Sequence, residues 1–270
     1  MSRKLHKFQT VAEYQAYSAS TDYTTPCVAV VEENNVIYYD YGNNMPQAPD
    51  LSDFKGEFQE SSIGGDKYGK SAITKIHYIP SSITSLGDGF ENYTSLQEVT
   101  CELPSGVTDM DFTFSKCSSL VNAPNIPSGV TSMYGTFSNC TSLVKAPEIP
   151  SGVTDVMSTF SSCSSLITVP NIPSGVTSMY ETFRGCLSLV ASPAIPNSVR
   201  QMHNTFRNCT SLKELTLLPT TPPSMQSALD GCSSIESIYV PDSAVDAYKT
   251  ATNWSEFSDK IKPLSEKPSK

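Results

Sequence analysis

Six cysteines occupy the same slot of a repeated pattern, and thiols at fixed spacing could bind zinc, form disulfides or act as nucleophiles. Each lies 23 residues from the next: Cys117, Cys140, Cys163, Cys186, Cys209 and Cys232. Zinc sites need two ligands two to four residues apart, and the sequence has no Cys-x-x-Cys pair. Stacked cysteines have parallel Cα–Cβ directions that suit disulfides poorly, and a nucleophile is not normally copied six times. We interpret the column as a structural ladder of small side chains inside a fold.

Other groups that could carry catalysis are scattered along the chain. The three histidines are His6, His77 and His203, in unrelated segments, and Asp109 and Asp111 stand at slots that vary freely between repeats. No G-x-S-x-G motif, phosphate-binding loop or metal-ligand spacing occurs. The sequence therefore predicts a protein that is not an enzyme, with no catalytic residues, no cofactor and no metal site.

Net charge and hydropathy restrict the partners. The net charge of −9 and the pI near 4.8 argue against nucleic acid, which needs clustered Lys and Arg. No run approaches the ~20 apolar residues of a membrane span, so no membrane insertion is expected.

Around the cysteines, a unit of 23 residues repeats about seven times over residues 71–240. Its consensus is L-x-x-A-P-x-I-P-S-G-V-T-S-M-x-x-T-F-x-x-C-x-S, with apolar Leu, Ala or Val, Ile, Val, Met, Phe and Cys columns. One unit cannot bury such a face alone, so consecutive units must stack. The pattern predicts a solenoid with like residues above one another at about 4.8 Å, the strand spacing.

Three local structures are expected within each unit. A short parallel strand should include the Leu-x-x-Ala stretch (143–146) or the residues flanking Ile149, with the following Pro ending it. The Ile-Pro-Ser-Gly segment favours a type I turn with Pro at position i+1 and Gly at i+3. The spacings of 3, 4 and 3 among Val130, Met133, Phe137 and Cys140 predict a helical or 3₁₀-like turn. The fold class is thus an α+β repeat solenoid.

The flanking segments differ in character. Residues 1–43 are expected to form a small α/β module, with a helix after Thr10 and a hairpin formed by residues 27–41, and 44–70 to be a linker or loop. Residues 241–270 should form a helical C-terminal cap and tail. There Asp242 or Ser243 would cap a first helix, and a second helical stretch would carry Trp254 as the plug over the last coil.

The candidate ligand-binding residues are side chains that vary at one slot of the unit. They are Tyr134, Met157, Tyr180 and His203, beside a second variable column of Gly135, Ser158, Glu181 and Asn204. Aromatic and Met side chains stacked on an exposed face would suit a sugar or a protein. Alternatively, they only cover the outer shoulder of the coil.

The repeat resembles the BspA-like leucine-rich repeats of gut Bacteroidetes surface proteins. The matching wording is "FSNCTSLVKAPEIPSGVTDVM" with its copies, and the closing "IYVPDSAVDAYKTATNWSEFSDKI", over about residues 70–262. The resemblance implies a leucine-rich-repeat solenoid with a binding or adhesive role toward a protein or a cell-surface glycan, and it supplies no catalytic residues.

The N-terminal segment "HKFQTVAEYQAYSASTDYTTPCVAVVEENNVIYYDYG" is similar to N-terminal modules of structural and fibre proteins of Bacteroides phages, including crAss-like ones. No signal peptide is visible, which this resemblance would explain, because virion proteins assemble inside the host. It implies a virion component of the tail or fibre type, anchored through the N-terminal module. The alternative location is the bacterial cell surface, and the alternative function is a purely structural spacer. Homo-oligomers and attachment to a larger assembly both stay open.

Overall fold

The computed structural model describes residues 74–76, 79 and 83–268, together with the backbone of three strands nearer the N-terminus. These strands, β1 (Lys7–Phe8), β2 (Cys27–Val31) and β3 (Val36–Asp40), form one sheet in the order β1-β2-β3. β2 and β3 pair antiparallel along their full length, the pairing that a hairpin requires, while β1 joins β2 in parallel. The helix predicted after Thr10 and the linker at 44–70 lie outside the described residues.

The repeat region is a coil in which equivalent segments of successive units pair in parallel, as the sequence predicts. Near its start β4 (Lys75–Ile76) pairs with β5 (Glu98–Val99). At its end a four-stranded parallel sheet has the order β6-β7-β8-β9. These four strands are β6 (Ala191–Ile195), β7 (Glu214–Leu217), β8 (Ser237–Val240) and β9 (Ile261–Pro263). Between β5 and β6 the same slot makes isolated bridges, Asn122 with Lys145 and Lys145 with Thr168, so the Leu-x-x-Ala stretch carries the pairing.

A second parallel ladder, not foreseen from the sequence, follows the Met column on a different face of the coil. It joins Ser85 to Asp109, Asp109 to Ser132, and Ser132 to Asp155, and it continues from Ser178 through later coils. The two ladders are separated by 10 and 13 residues in the 23-residue unit, so each coil is fixed to its neighbours on two faces.

The segment predicted as a helical or 3₁₀-like turn is a run of short 3₁₀-like turns. Phe137 N–H donates to Thr159 O of the next coil at 2.9 Å, and Asn139 N–H to Ser161 O at 2.7 Å. The intervening Ser138 N–H donates back three residues to Gly135 O at 3.0 Å. Alternate amides therefore join coils and close 3₁₀-like turns, which buries the predicted stripe without forming a continuous helix.

The Pro-Ser-Gly corner is shifted by one residue from the expected position. The closing hydrogen bond runs from Val130 N–H to Pro127 O at 3.1 Å, so proline is the first residue of the turn and Gly129 the third. One later unit has Ser198 at the glycine slot, and its Val199 N–H closes the same turn onto Pro196 at 3.1 Å. Glycine is thus dispensable at this corner.

The core is a set of continuous columns in the interior of the coil. The Leu, Val, Met, Phe and Cys columns of the middle units are fully buried, whereas Ile126, Ala123 and Val169 are only partly buried at its edge. The rings of Phe90, Phe114, Phe137, Phe160, Phe183 and Phe206 form an unbroken stack. Neighbouring centroids lie 5.5–5.7 Å apart, with planes within 11° of parallel.

The C-terminal cap is less helical than expected. Residues Asp242–Ala244 form a 3₁₀ turn that leads into α1 (Val245–Thr250), and no side chain caps it; Asp242 instead accepts a hydrogen bond from Ser265 N–H. The second helical stretch is one 3₁₀ turn, Ser255–Phe257, after which the chain returns to the sheet as β9 and ends in a 3₁₀ turn at Leu264–Glu266. Extending the parallel sheet satisfies the edge of β8 better than a helix could.

Trp254 lies buried at the centre of this cap. Its ring meets that of Tyr248 edge to face at 5.1 Å, and its indole N–H donates to Pro223 O at 2.8 Å. Tyr248 is also buried, and its hydroxyl donates to Pro219 O at 2.9 Å. Both aromatic residues thereby fix the cap to the last coils.

Candidate functional site

We define the outer column as the four candidate ligand-binding residues Tyr134, Met157, Tyr180 and His203. The structure places them at equivalent positions of consecutive coils, directly after the buried Met column. Their side chains are partly exposed, and Tyr180 is the most accessible at 38%. The spacing also places Asp111 and Gln226 in the same file, beyond its two ends.

The backbone beneath the outer column is held by short polar side chains. Asp155 Oδ1 accepts a hydrogen bond from Met157 N–H at 2.9 Å, and Asp109 does the same for Asp111 at 2.9 Å. Tyr134 N–H donates to Asp111 Oδ1 at 2.9 Å, which also accepts from the Ser132 hydroxyl. These bonds satisfy amides that do not reach the next coil, so the outer side chains project from an ordered backbone.

The residue after each outer-column position has a left-handed backbone. Gly135 has φ of 60°, and Ser158, Glu181 and Asn204 have φ between 53° and 55°. Phe112, which follows Asp111 beyond the end of the column, has φ of 52°. A second left-handed residue follows four positions later in each coil, for example Asn139 and Gly185. Two reversals per coil interrupt the right-handed turns and keep each coil in register with the next.

Tyr134, the first residue of the outer column, contacts a second aromatic ring. The Phe112 ring packs edge to face on Tyr134, with centroids 4.7 Å apart. It also covers Gly135, where a Cβ atom would lie only 2.5 Å from the Phe112 ring. The Phe112 ring therefore covers one side of Tyr134.

Burial and nearby carboxylates raise the pKa of Asp111. Burial is the largest cause, and repulsion from Asp109 and Asp155 adds to it, while the Ser132 hydrogen bond acts in the opposite direction.

His203 is the single histidine of the outer column, and it lies 3.3 Å from the Ser224 hydroxyl through Nε2. The Ser224 hydroxyl also lies 3.2 Å from Arg200 O, so it can donate to that carbonyl or to Nε2, according to the imidazole tautomer. The contact joins side chains of neighbouring coils.

The six cysteines of the ladder lie inside the coil, and each thiol donates a hydrogen bond to the carbonyl of a phenylalanine in the preceding coil. Cys140 Sγ lies 3.1 Å from Phe114 O, and Cys163 Sγ 3.1 Å from Phe137 O. Burial raises the pKa of the Cys117 thiol to about 12 and that of Cys232 to about 11. Neutral, enclosed thiols of this kind are poor nucleophiles and poor metal ligands.

Besides the second ladder, two features of the repeat escaped the sequence analysis. The first is a column of five buried threonines, each one residue before a phenylalanine: Thr113, Thr136, Thr159, Thr182 and Thr205. All of their hydroxyls except that of Thr182 bond to carbonyls of the preceding coil. Thr136 Oγ1 lies 2.9 Å from Met110 O, and Thr159 Oγ1 lies 2.8 Å from Met133 O. The presence of Thr in successive units was the available signal, although a hydropathy pattern assigns Thr no preference for the interior.

The second is an exposed aliphatic stripe, formed by the residue after each buried Leu in four consecutive coils: Val121, Val144, Ile167 and Val190. The 23-residue spacing of these side chains was visible in the sequence. Their exposure was not, because an apolar residue beside a strand core is normally assigned to the interior.

Within the described residues, no group of three or more His, Cys, Asp or Glu side chains is arranged to hold a metal ion. None of the helices in that part of the chain has the length and apolar character needed to cross a membrane.

Comparison with known families identifies the repeat. The family described as "BspA type Leucine rich repeat region" matches six copies, over residues 61–190 and 134–258. Leucine-rich-repeat proteins of this kind are typically protein-binding or surface proteins. A search of curated proteins gives no significant match.

Solved structures of bacterial leucine-rich-repeat proteins are similar to this chain. The leucine rich repeat protein of T. pallidum is 28% identical over 53% of this chain and 66% of its own, with a TM-score of 0.47. A leucine rich cell surface protein of Faecalibacterium prausnitzii is 20% identical over 68% and 64%, with a TM-score of 0.41. A leucine-rich repeat protein of Bacteroides ovatus is 16% identical over 90% and 99%, with a TM-score of 0.28. The chain covers slightly less than two thirds of the length of the first two.

Proposed function

Because the chain belongs to the family of BspA-type leucine-rich repeat regions, we propose that it is a recognition protein, without enzymatic activity, that binds a protein or a glycan through its outer column. The column provides two tyrosines, a methionine and a histidine in successive coils. Tyrosine rings present an apolar face and a hydroxyl together, which suits the alternating apolar and polar surface of a sugar or a peptide.

The observation that carries this proposal is the contrast between the columns inside and outside the same segment. Inside, the Phe and Cys columns keep one residue type through the middle coils, and their rings and thiols repeat the same contacts. Outside, the adjacent outer column changes at each coil while its backbone stays regular. A solenoid that holds its core constant and varies one surface file has a surface suited to specific binding.

For the location, we propose display at a surface, either of a bacterial cell or of a virion, with residues 1–43 as the anchor. The support is the resemblance of the N-terminal segment to phage structural proteins and the surface role typical of the repeat family. Antibodies against the purified chain, used in immunogold microscopy, separate the two: label on intact cells supports the envelope, and label on purified virions supports the phage.

The binding proposal is tested with the full chain on arrays of bacterial capsule and host glycans, and against purified envelope proteins. The variant Tyr134→Ser/Tyr180→Ser removes both rings of the outer column. A matched control, Asn125→Ser/Asn171→Ser, changes two exposed residues at a different slot of the same coils. We expect the first variant to lose at least tenfold in affinity and the control to bind like the parent.

Equal binding by both variants would overturn the assignment of the outer column. Silence of the parent chain across the whole panel would favour the alternative function, a rigid spacer whose continuous phenylalanine stack only separates its two ends.

A further inference from the structure

The first described turn run, residues 83–93, ends in a row of open backbone acceptors. In the next coil, alternate carbonyls accept N–H groups from this run at 2.8–3.0 Å, and equivalent bonds recur along the solenoid. The carbonyls that accept there belong to Asp109, Asp111, Thr113 and Ser115. Among the described residues, no donor reaches the equivalent carbonyls of the first run, which are those of Ser85, Gly87, Gly89 and Glu91. Like the edge of a sheet, this row is a surface for further backbone donors.

The interior side chains at this end are nevertheless covered. Leu86 and Phe90 are each 1% exposed, close to the full burial of the equivalent side chains further along the coil. At the opposite end, Trp254 and the rest of the cap provide such a cover. No described coil precedes residues 83–93, so the cover has to come from the preceding part of the chain.

The residues directly before the first coil repeat its sequence. Residues 61–73 read S-S-I-G-G-D-K-Y-G-K-S-A-I, and the stretch 23 residues later, 84–96, reads T-S-L-G-D-G-F-E-N-Y-T-S-L. Ile63 takes the slot of Leu86, and Ile73 takes that of Leu96. The family match also begins at residue 61. The sequence therefore contains one more unit than the seven recognised over residues 71–240.

Two glycines of this segment fall at the slots where the backbone is left-handed. Each described coil has left-handed residues eight and four positions before its buried Leu or Ile, for example Asp88 and Asn92, with φ of 55° and 67°. Counted back from Ile73, the same slots hold Gly65 and Gly69. Glycine adopts this conformation without a steric cost, so the segment can follow the path of a coil.

We propose that residues 61–70 form a further turn run on this end of the solenoid and donate to the open carbonyls of the first coil. In the register of the later coils, the donors are the N–H groups of Ile63, Gly65, Lys67 and Gly69, which meet the carbonyls of Ser85, Gly87, Gly89 and Glu91 in that order. Each open acceptor then has one donor. The Ile63 side chain continues the buried Met column, in which Leu86 comes next.

Lysines at two interior slots suit a coil that ends the stack. Lys67 and Lys70 occupy the slots of the phenylalanine and cysteine columns. In the proposed coil their alkyl chains extend over the rings of Phe90 and Tyr93, while the ammonium groups reach the water beyond the end. The terminal repeat of a solenoid needs such a polar outer face. The outer column is not involved, so this inference does not depend on the proposed function.

Hydrogen exchange of the full chain, measured by mass spectrometry at about 2 and about 100 μM protein, tests the pairing. We expect the amides of residues 61–70 to exchange at least about a hundredfold more slowly than those of an unstructured chain, equally at both concentrations. Exchange at the unstructured rate overturns the proposal. Protection that appears only at the higher concentration also overturns it, because the donors would then belong to a second copy.

Valine at the two left-handed slots should disrupt the added coil. None of these slots in the described coils holds a β-branched residue, the type that fits a left-handed backbone worst. Gly65→Val/Gly69→Val should therefore remove the protection of residues 61–70 and raise the rate of tryptic cleavage after Lys67 and Lys70 at least about tenfold.

Gly64→Val is the matched control, because its slot holds Tyr134 and Met157 in later coils and is not left-handed. It should be protected and cleaved like the parent chain. Unchanged protection of the coil that contains Phe137 checks that the rest of the solenoid stays folded in both variants. Equal cleavage of the two variants after Lys67 and Lys70 would show that the glycines do not hold a coil, and would overturn the proposal.

Discussion

At the level of single residues, the interior of the coil is not purely apolar. Phe137 O accepts two hydrogen bonds, from Cys140 N–H of its own coil at 3.0 Å and from the Cys163 thiol of the next at 3.1 Å. Met133 O likewise accepts Thr136 N–H at 3.2 Å and the Thr159 hydroxyl at 2.8 Å. The Cys and Thr side chains thus donate a second hydrogen bond to carbonyls that already accept one from a backbone N–H. Cysteine and threonine therefore repeat because they are small and can donate.

Two members of the threonine column differ in hydrogen bonding and so allow a direct test of the role of the hydroxyl. Thr159 and Thr182 are both fully buried, but the Thr182 hydroxyl has no hydrogen-bond partner. In the coil before Thr182, Val156 occupies the Met column. Replacing Thr159 with valine removes a bond to Met133 O and should lower the free energy of unfolding by about 1 kcal/mol. Thr182→Val removes only an unpaired buried hydroxyl and should be neutral or slightly stabilising.

Urea titrations of the two valine variants at equal slope provide the measurement. If both variants lose stability by the same amount, the hydroxyl bonds contribute nothing and the threonines repeat for their shape alone.

At the level of elements, the sequence predicted the stacking but not the path of the chain. The spacing of Met133, Phe137 and Cys140 fits a helical stripe, and it equally fits successive 3₁₀-like turns interrupted by two left-handed residues per coil, four positions apart. Glycine and asparagine at the slot of Asn139 and Gly185 were a signal of left-handed backbone, since these residues adopt it most readily. Phe112 at such a position could not be foreseen, because its cost is met by packing on Tyr134.

For the outer column too, the sequence predicted the position of the residues but not their contacts. Its location at one slot per coil follows from the repeat period, so the four candidate residues could be named from the sequence. Their partial burial, the contact of His203 with Ser224 and the hydrogen bonds under Met157 depend on side-chain positions that no period determines. The C-terminal cap differs for a related reason: Ile261 fits a helical spacing, but the unpaired edge of β8 draws it into a strand.

Glycine variants test the left-handed positions directly. Gly135→Ala forces a side chain into a backbone with φ of 60° and places its Cβ atom 2.5 Å from the Phe112 ring. We expect a loss of at least about 2 kcal/mol in unfolding free energy, from backbone strain and displacement of the ring.

Gly152→Ala is the matched control one coil further on. Its φ is not positive, and the nearest atom to an added Cβ, Val130 O, is 3.6 Å away. It should change stability by less than about 0.5 kcal/mol, or stabilise slightly through the unfolded chain. Thermal melts of both variants provide the measurement. Equal melting midpoints would show that the backbone tolerates a β-carbon at residue 135 as well as at residue 152.

At the level of the whole molecule, each coil is stabilised by its neighbours, and the ends need separate covers. The last coil has Ala228 and Leu229 at the Thr and Phe slots, so the threonine and phenylalanine columns stop one coil before the cap. Trp254 and Tyr248 then close the end by bonding to the carbonyls of Pro223 and Pro219. In such a stack stability is a sum of nearest-neighbour terms, and loss of an end cover acts on the adjacent coils first.

Substitution of Trp254 should therefore produce local fraying before global unfolding. Trp254→Ala removes the largest side chain of the cap and its contact with Tyr248, with an expected cost of about 3–5 kcal/mol. Trp254→Phe keeps most of the ring but leaves Pro223 O without its 2.8 Å bond, at about 1 kcal/mol. In hydrogen exchange of Trp254→Ala, amides of the coil containing Leu229 and Cys232 should lose protection, while those near Phe114 retain it. Uniform loss of protection along the chain would contradict nearest-neighbour stabilisation and indicate that the coils unfold as a single cooperative unit.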